Sequence, residues 1–548
     1  MCDRILFVMP DSILLLPILL PLVLAPVFAW IARRAEHTRH ALTILFFILE
    51  ISAILVNIAP GSHRLVISTW QAAAFSIALQ MDGIAILLAL TTSILLLTLW
   101  LAAPPAPISH GRGRDPFDFP TVLVFSAALL LIAAEGLLAI CFALTLLDLS
   151  LFVWRLAHNI ERETAARSLV VGLFAGLILV AGALLIGTAR AAEHNGALLI
   201  ALAFWARLGL FPFHSLLPTH GVDTSDLWYA RAMPMLAASA LWMRWQQTLT
   251  IAAPGDVIAG LAIATFIITL VWIWREEEPS RAVGVSTMHG FALVPLAVAF
   301  GGDAAPVLAL WLALSAVFAF AFFETALRWR AENRNRWTRL LWFGGVIALA
   351  GPPLTPAFLG RVGVYVSLAE NGQWLTLLLA ALATLLLLAP LWNFAFALAG
   401  AEMRDPKRGE SAALIIITLW FAALTFAPML IANVLGAKVG EAADAAMLRV
   451  IWTNDLLGVL LGFVLLFTPL VASYWLRGSV RGLHLRPGSS WMRVARWLDL
   501  TWLEHGVVSM GYRAGMTARN ISTMAEENPT VWLLLVGLWV AILILAAR

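Results

Sequence analysis

Long apolar runs recur along this chain at intervals that leave little room for anything else. Windows of about 20 apolar residues, the length a helix needs to cross roughly 30 Å of hydrocarbon, are centred near residues 21, 50, 89, 127, 146, 178, 205, 239, 265, 293, 316, 350, 386, 423, 465 and 539. The pattern predicts an all-α polytopic membrane protein of about sixteen transmembrane helices. The first run, Ile13 to Ala32, is longer than the apolar region of a signal peptide and lacks a small-residue cleavage site before Arg33 and Arg34, so it is expected to be a retained span. Near the other end, Trp491, Val494, Leu498 and Trp502 fall at helical spacing with Arg493, Arg496 and Asp499 on other faces. This predicts an amphipathic helix lying on the membrane surface or on a partner, with a helix packed on its own bundle as an equal alternative. Asn528 and Pro529 then introduce a last span, Val531 to Ala547.

Cations in the connecting segments alternate. Arg33, Arg34 and Arg39 follow span one, Arg112 and Arg114 span three, Arg162 span five, Arg275 and Arg281 flank the loop after span nine, and Arg328, Arg330, Arg334, Arg336 and Arg339 follow span eleven. Arg404, Lys407 and Arg408 follow span thirteen, whereas loops of the other parity hold few cations. The positive-inside rule then makes the loops after odd spans cytoplasmic and places the N-terminus outside, the expected setting being a bacterial inner membrane. Over 548 residues, 61% are hydrophobic and 12% charged, about half the charge of a soluble domain. Two cysteines without pair spacing give no basis for a disulfide, zinc site or iron–sulfur cluster. No cofactor is expected, any redox centre belongs on a partner, and nothing points to nucleic acid.

Two spans are interrupted. Span seven contains Arg207 followed by Phe211-Pro212-Phe213-His214, and span twelve contains Gly351-Pro352-Pro353-Leu354-Thr355-Pro356 before Arg361. A cation at membrane depth is a functional-site hypothesis by default, and paired broken helices point to two related halves with a path at the midplane. The other reading is an arginine that only pins two helices together.

Residues 207–218 resemble the seventh-span motif of the antiporter-like subunits of respiratory complex I, Mrp antiporters and membrane-bound hydrogenases. That motif has a lysine, then Phe-Pro-X-His and a Leu-Pro. The segment Arg281-Ala282-Val283-Gly284-Val285-Ser286-Thr287-Met288 is similar to the family's Arg-X-Leu-Ala-Tyr-Ser-Thr stretch, residues 351–361 resemble its broken twelfth span, and Asp82-Gly83 opens span three as the family's Asp does. The resemblance covers roughly residues 75–400. It implies a fourteen-helix core with two inverted repeats and broken helices 7 and 12, extended by the surface helix and a terminal span. The corresponding division is 1–110 N-terminal helices, 111–255 first repeat, 256–400 second repeat, 401–480 C-terminal core helices and 481–548 surface helix with last span.

The resemblance also implies a proton path of buried lysines, a glutamate and histidines, and here the chain departs from it. Its only lysines, Lys407 and Lys438, lie in loops, and Arg207 and Arg361 stand where the family has relay residues. Arginine does not deprotonate in proteins. Leu308, Leu312 and Ala316 stand where histidines and a central lysine are usual, leaving only Ser315 as a polar side chain between Asp303 and Glu324. For the fifth-span acid, Asp148 is the nearest carboxylate, but an ungapped match places Thr145 there. Asp148 with Arg207 and Arg231 with Asp226 are expected ion pairs, because an unpaired charge at that depth is expensive. A functional charge partner and a static helix tie are both open readings of Asp148.

The residues expected along a proton path or in coupling are therefore Asp148, Arg207, His214, Arg231, His289, Glu324 and Arg361, with a core role also open for His289. Glu50, mid-span two, is expected to face protein. No catalytic site of the chain's own is expected; at most it is a non-redox subunit of a translocase. Three functions remain in competition: an antiporter-like subunit of a complex I-type assembly with a degenerate lysine relay, the membrane partner of an inorganic-carbon uptake complex, or a non-pumping structural subunit. Other membrane subunits, and on the second reading a cytoplasmic soluble protein, are the expected partners.

Overall fold

The computed structural model describes residues 11–34, 39–58, 63–68, 77–102, 117–158, 162–186, 190–213, 231–245, 249, 252–276, 278–332, 336–352, 355–397, 408–426 and 467–477, together with 509, 513 and 516. The chain divides into two compact units, Met1–Ala495 and Arg496–Arg548. In the second unit the described residues are Ser509, Arg513 and Met516, each helical and exposed. The expected amphipathic helix is otherwise outside the described residues, as are the last span, His214 and Asp226.

Helices account for nearly all of the described residues of the first unit: α1 (Leu16–Arg34), α2 (Arg39–Leu55), α3 (Gly83–Leu101), α4 (Phe119–Ala133), α5 (Leu137–Ala157), α6 (Arg162–Ile186), α7 (Arg190–Arg207), α8 (Met233–Met243), α9 (Gly255–Ile273), α10 (Pro279–Phe291), α11 (Leu293–Phe300), α12 (Ala305–Glu332), α13 (Arg336–Ala350), α14 (Pro356–Glu370), α15 (Trp374–Ala397) and α16 (Arg408–Phe426). A further helix, α17, covers residues 467–477. Among the described residues nine helical stretches are long and apolar enough to cross a membrane, with α4, α8 and parts of α13 and α16 as shorter apolar helices. This is an integral membrane protein. Fourteen of the sixteen expected centres fall within α1 to α13, α15 and α16; those at 465 and 539 lie outside the described residues.

Both interruptions take the form the sequence suggests. The α7 helix stops at Arg207, and Gly209 follows with φ of 59°, a conformation that costs other residues a steric penalty. After α13, Gly351 has φ of 72° and the helix resumes only at Pro356. A third interruption was not signalled by the apolar windows: Ala292 separates α10 from α11. Pro295 explains it, since it has no N–H to offer the carbonyl of Phe291.

A small sheet also departs from the purely helical expectation. β1 (His63–Ser68) pairs antiparallel with β2 (Ile77–Met81), with His63 opposite Met81, and β2 pairs with the two-residue β3 (Ala134–Glu135). Arg244, buried after α8, donates to the carbonyls of Ala134 (2.7 Å) and Gln80 (3.1 Å) and to Asp82 Oδ1 (3.2 Å). Asp82 meanwhile caps α3 by accepting from the Ala85 N–H at 2.8 Å. One guanidinium thus ties the sheet to the start of a span.

The long α12 is the hub. It is buried almost throughout and packs on α3, α8, α10, α11, α13 and α14, while α5, α6 and α7 pack in sequence beside α4 and α8. Residues such as Leu177 of α6 and Val23 of α1 face outward, as a lipid-facing surface requires. Glu50 is wholly buried within α2, and neither carboxylate oxygen has a hydrogen-bond partner among the described residues. A buried carboxyl without partners costs stability, so Glu50→Leu is expected to leave unchanged or raise the melting temperature of the detergent-solubilised protein, read by thermal unfolding.

Candidate functional site: a buried arginine–aspartate pair

The α5 helix presents Asp148 and Arg155, seven residues apart on one face, toward the end of α7. Arg207 Nη1 donates to Asp148 Oδ1 at 2.5 Å, and Nη2 donates to the Gly172 carbonyl on α6 at 2.5 Å. Both side chains are under a tenth exposed. Asp148, Arg155, Ser168, Arg207 and Pro234 line a common cavity of about 40 Å³, space for about three waters at roughly 10–15 Å³ each. Thr145 is on the exposed side of α5, its hydroxyl donating to the Cys141 carbonyl. The structure therefore puts Asp148, not Thr145, against the arginine.

Glycine at position 172 makes this approach feasible. A Cβ on Gly172 would lie 2.7 Å from Asp148 Cγ, and one on Gly176, a turn further along α6, would lie 3.5 Å from Arg207 Nη2. The sequence reading missed both, although Gly-X-X-X-Gly within an apolar helix signals close approach of a neighbour. Gly172→Ala is expected to push Asp148 off Arg207 and to lower stability by about 1–3 kcal/mol, the usual cost of overpacking, measurable by chemical unfolding in detergent.

The second arginine is held differently. Arg361, buried on α14, donates to the Leu349 carbonyl (2.6 Å), Thr384 Oγ1 (3.0 Å) and Tyr365 Oη (3.5 Å). Leu349 lies in the last turn of α13, so the guanidinium sits at the negative end of that helix dipole. Thr384 donates its own proton to the Ala380 carbonyl at 2.8 Å. Its oxygen is then left to accept, from Arg361 and from His289 Nε2 at 3.1 Å. His289 therefore donates from Nε2, and its Nδ1 has no hydrogen-bond partner among the described residues.

No family model matches the sequence. NADH-quinone oxidoreductase subunit N of Rhodococcus opacus (strain B4) is 26% identical over 301 residues, 46% of this chain and 55% of that protein. The match thus spans little more than half of that relative's length. Among solved structures, a chain of the Mrp complex from Dietzia sp. DQ12-45-1b superposes with a TM-score of 0.71 at 17% identity, covering 98% of this chain and 63% of that one. A chain of respiratory complex I from Thermus thermophilus gives 0.63 at 19% identity, covering 79% and 99%. A chain of the membrane-bound sulfane sulfur reductase, an archaeal respiratory membrane complex, gives 0.63 at 16%, covering 80% and 99%. The chain has the fold of these antiporter-like membrane subunits.

Within the antiporter-like fold, the remaining expected residues are scattered rather than gathered into one site. Glu324, wholly buried on α12, accepts from Arg328 Nε at 3.2 Å, and Arg328 Nη1 donates to the Leu99 carbonyl at 2.6 Å. Arg231 is buried, and its guanidinium occupies the space beside Gly284 on α10 that any larger residue would fill. Its expected partner Asp226, and His214, lie outside the described residues. His289 is fully buried and packs against Phe266 with ring centroids 5.1 Å apart.

Between these groups the α12 helix is tightly packed. Leu312 fits against Gly360 and Leu308 against Gly363 on α14, while Ala316 fits against Gly290 on α10, each glycine leaving no room for a Cβ without displacement. Ser315 spends its hydroxyl on the Ala348 carbonyl. Among the described residues no three His, Cys, Asp or Glu side chains converge as a metal site would need.

Proposed function

We propose that this chain is an antiporter-like membrane subunit of a multisubunit assembly of the complex I and Mrp type, working with a degenerate lysine relay and with other membrane subunits as partners. We place it in a bacterial inner membrane with its N-terminus outside, on the alternation of loop arginines. The observation that carries the mechanistic part is the Asp148–Arg207 pair at the broken end of α7. Arg207 keeps its charge at any pH the cell meets. In that cavity Asp148 is therefore the group able to take up a proton, and it does so only when Arg207 moves off its carboxylate. Arg207 acts as a charge whose position sets the state of Asp148, with the cavity waters as the local route for the proton. At the second break, Arg361, bound to the Leu349 carbonyl and to the Thr384 and Tyr365 hydroxyls, can orient water but cannot pass a proton through the guanidinium.

A second reading, a subunit whose own channel is closed and which completes the assembly structurally, is favoured by one specific observation. The packing of Leu308, Leu312 and Ala316 on glycines, with Ser315 committed to the Ala348 carbonyl, leaves no titratable group in the middle of α12. On both readings the chain works inside an assembly. Affinity purification of the tagged chain from mildly solubilised membranes of its native host is expected to bring down other membrane subunits in fixed ratio. Recovery of the chain alone, from membranes in which it is abundant, would contradict the proposal.

A further inference from the structure

Outside the paired arginine, the strongest unassigned feature lies where the start of α13, the end of α15 and the end of α17 meet. Phe396, in the last turn of α15, carries two guanidinium groups: Cζ of Arg339 is 4.4 Å and Cζ of Arg477 3.9 Å from its ring centroid. The two cations cannot be farther apart than those distances added together. Arg339 also covers Phe343 at 5.1 Å and Arg477 covers Tyr474 at 3.8 Å. Aromatic contacts and the Trp392 Nε1 to Ser473 Oγ hydrogen bond of 3.0 Å hold the three helix ends together.

Ring faces attract cations but do not neutralise them. Neither arginine has a carboxylate within ion-pair distance among the described residues, and each keeps a buried nitrogen, Nε of Arg339 and Nη1 of Arg477, with no hydrogen-bond partner. Arg339 is moreover the fourth residue of α13, at the positive end of that helix. Two neighbouring like charges, N–H donors without partners among the described residues and a helix N-terminus together make a place suited to an anion. Guanidinium forks match phosphate geometry.

The surroundings select the source of the phosphate. On α17, Phe467, Val471, Trp475 and Leu476 line an apolar groove. Trp475 is 78% exposed in a chain that lies in lipid. A free phosphate ion has no use for that groove, whereas acyl chains do. We propose that Arg339 and Arg477 bind the phosphate of an anionic phospholipid whose chains lie along α17.

The site is tested by native mass spectrometry of the full chain released from nanodiscs holding equal amounts of phosphatidylglycerol and phosphatidylcholine. Retained phosphatidylglycerol is expected to exceed phosphatidylcholine, with about fivefold preference per arginine at roughly 1 kcal/mol per surface cation. Arg339→Gln with Arg477→Gln should abolish the preference. Millimolar inorganic phosphate should not displace the lipid. Equal retention of the two lipids by the unaltered chain would overturn the proposal even if the variants fail to fold. Preference retained in the double variant would overturn it as well, and displacement by inorganic phosphate would assign the site to a free anion instead.

Discussion

Arg207→Ala is expected to lower the stability of the membrane-embedded fold by about 3–5 kcal/mol, the usual cost of removing one member of a buried ion pair. The reason is what stays behind. Asp148 would keep its burial and lose its main hydrogen-bond donor, and the Gly172 carbonyl would lose the donor that now reaches into α6. Asp148→Ala should cost a comparable amount by stranding the guanidinium. The double replacement Asp148→Leu with Arg207→Met should recover most of the loss, because apolar groups of similar size often replace a buried pair at little cost. Reversible unfolding in mixed detergent would measure all three. Single-variant losses below about 1 kcal/mol would mean that the pair is open to water and that its charges do not depend on each other.

Leu312→Ala should produce the second large effect, about 2–5 kcal/mol of destabilisation, as for other leucine truncations in packed interiors. Leu312 fills the space over Gly360, and neither a glycine nor the rigid α12 backbone can collapse into the gap. The functional consequence separates the two readings of the chain. Where Leu308 and Leu312 are the seal of a dead channel, truncation admits water and raises passive proton leak through reconstituted vesicles, read with a pH-sensitive dye. A Leu312→Ala variant as stable as the parent would contradict the packing that underlies the seal.

Much of this architecture was legible because a membrane imposes its own length scale. An apolar run of about 20 residues has few alternatives to a spanning helix, so the windows centred at 89, 265 and 386 mark α3, α9 and α15. The glycine and proline breaks at 209–212 and 351–356 were legible for the same reason, since a helix breaker in lipid must have a use. The pairing of Asp148 with Arg207 followed from the cost of a lone buried charge. Other features were hidden. Strands β1 to β3 carry no alternation strong enough to stand out among so many apolar residues, and β3 has only two residues. The Arg244 tie depends on carbonyls at residues 80 and 134, far away in sequence, which no local pattern encodes. Thr384 looked like one more small residue in an apolar span, yet it joins His289 to Arg361. The glycines under Leu308, Leu312 and Ala316 could be understood only once α10 and α14 were seen against α12.

The buried arginines and the apolar middle of α12 have physical consequences in the structure. Arg207 is committed to a carboxylate and a backbone carbonyl, Arg361 to the end of a helix, and the middle of α12 to leucine and alanine. On the proposed reading, an antiporter-like fold furnished in this way keeps arginine charges that can move and, in the Asp148 cavity, one group that can load and unload a proton.

Proton uptake by proteoliposomes of the intact assembly, compared for the parent chain, Asp148→Asn and Arg207→Lys, tests that claim most directly. With Asp148 as the proton-accepting group and Arg207 as its movable, permanently charged partner, Asp148→Asn should abolish the uptake that depends on this chain. Arg207→Lys, which keeps the positive charge, should retain most of it. Undiminished uptake in Asp148→Asn with the assembly intact would contradict the account.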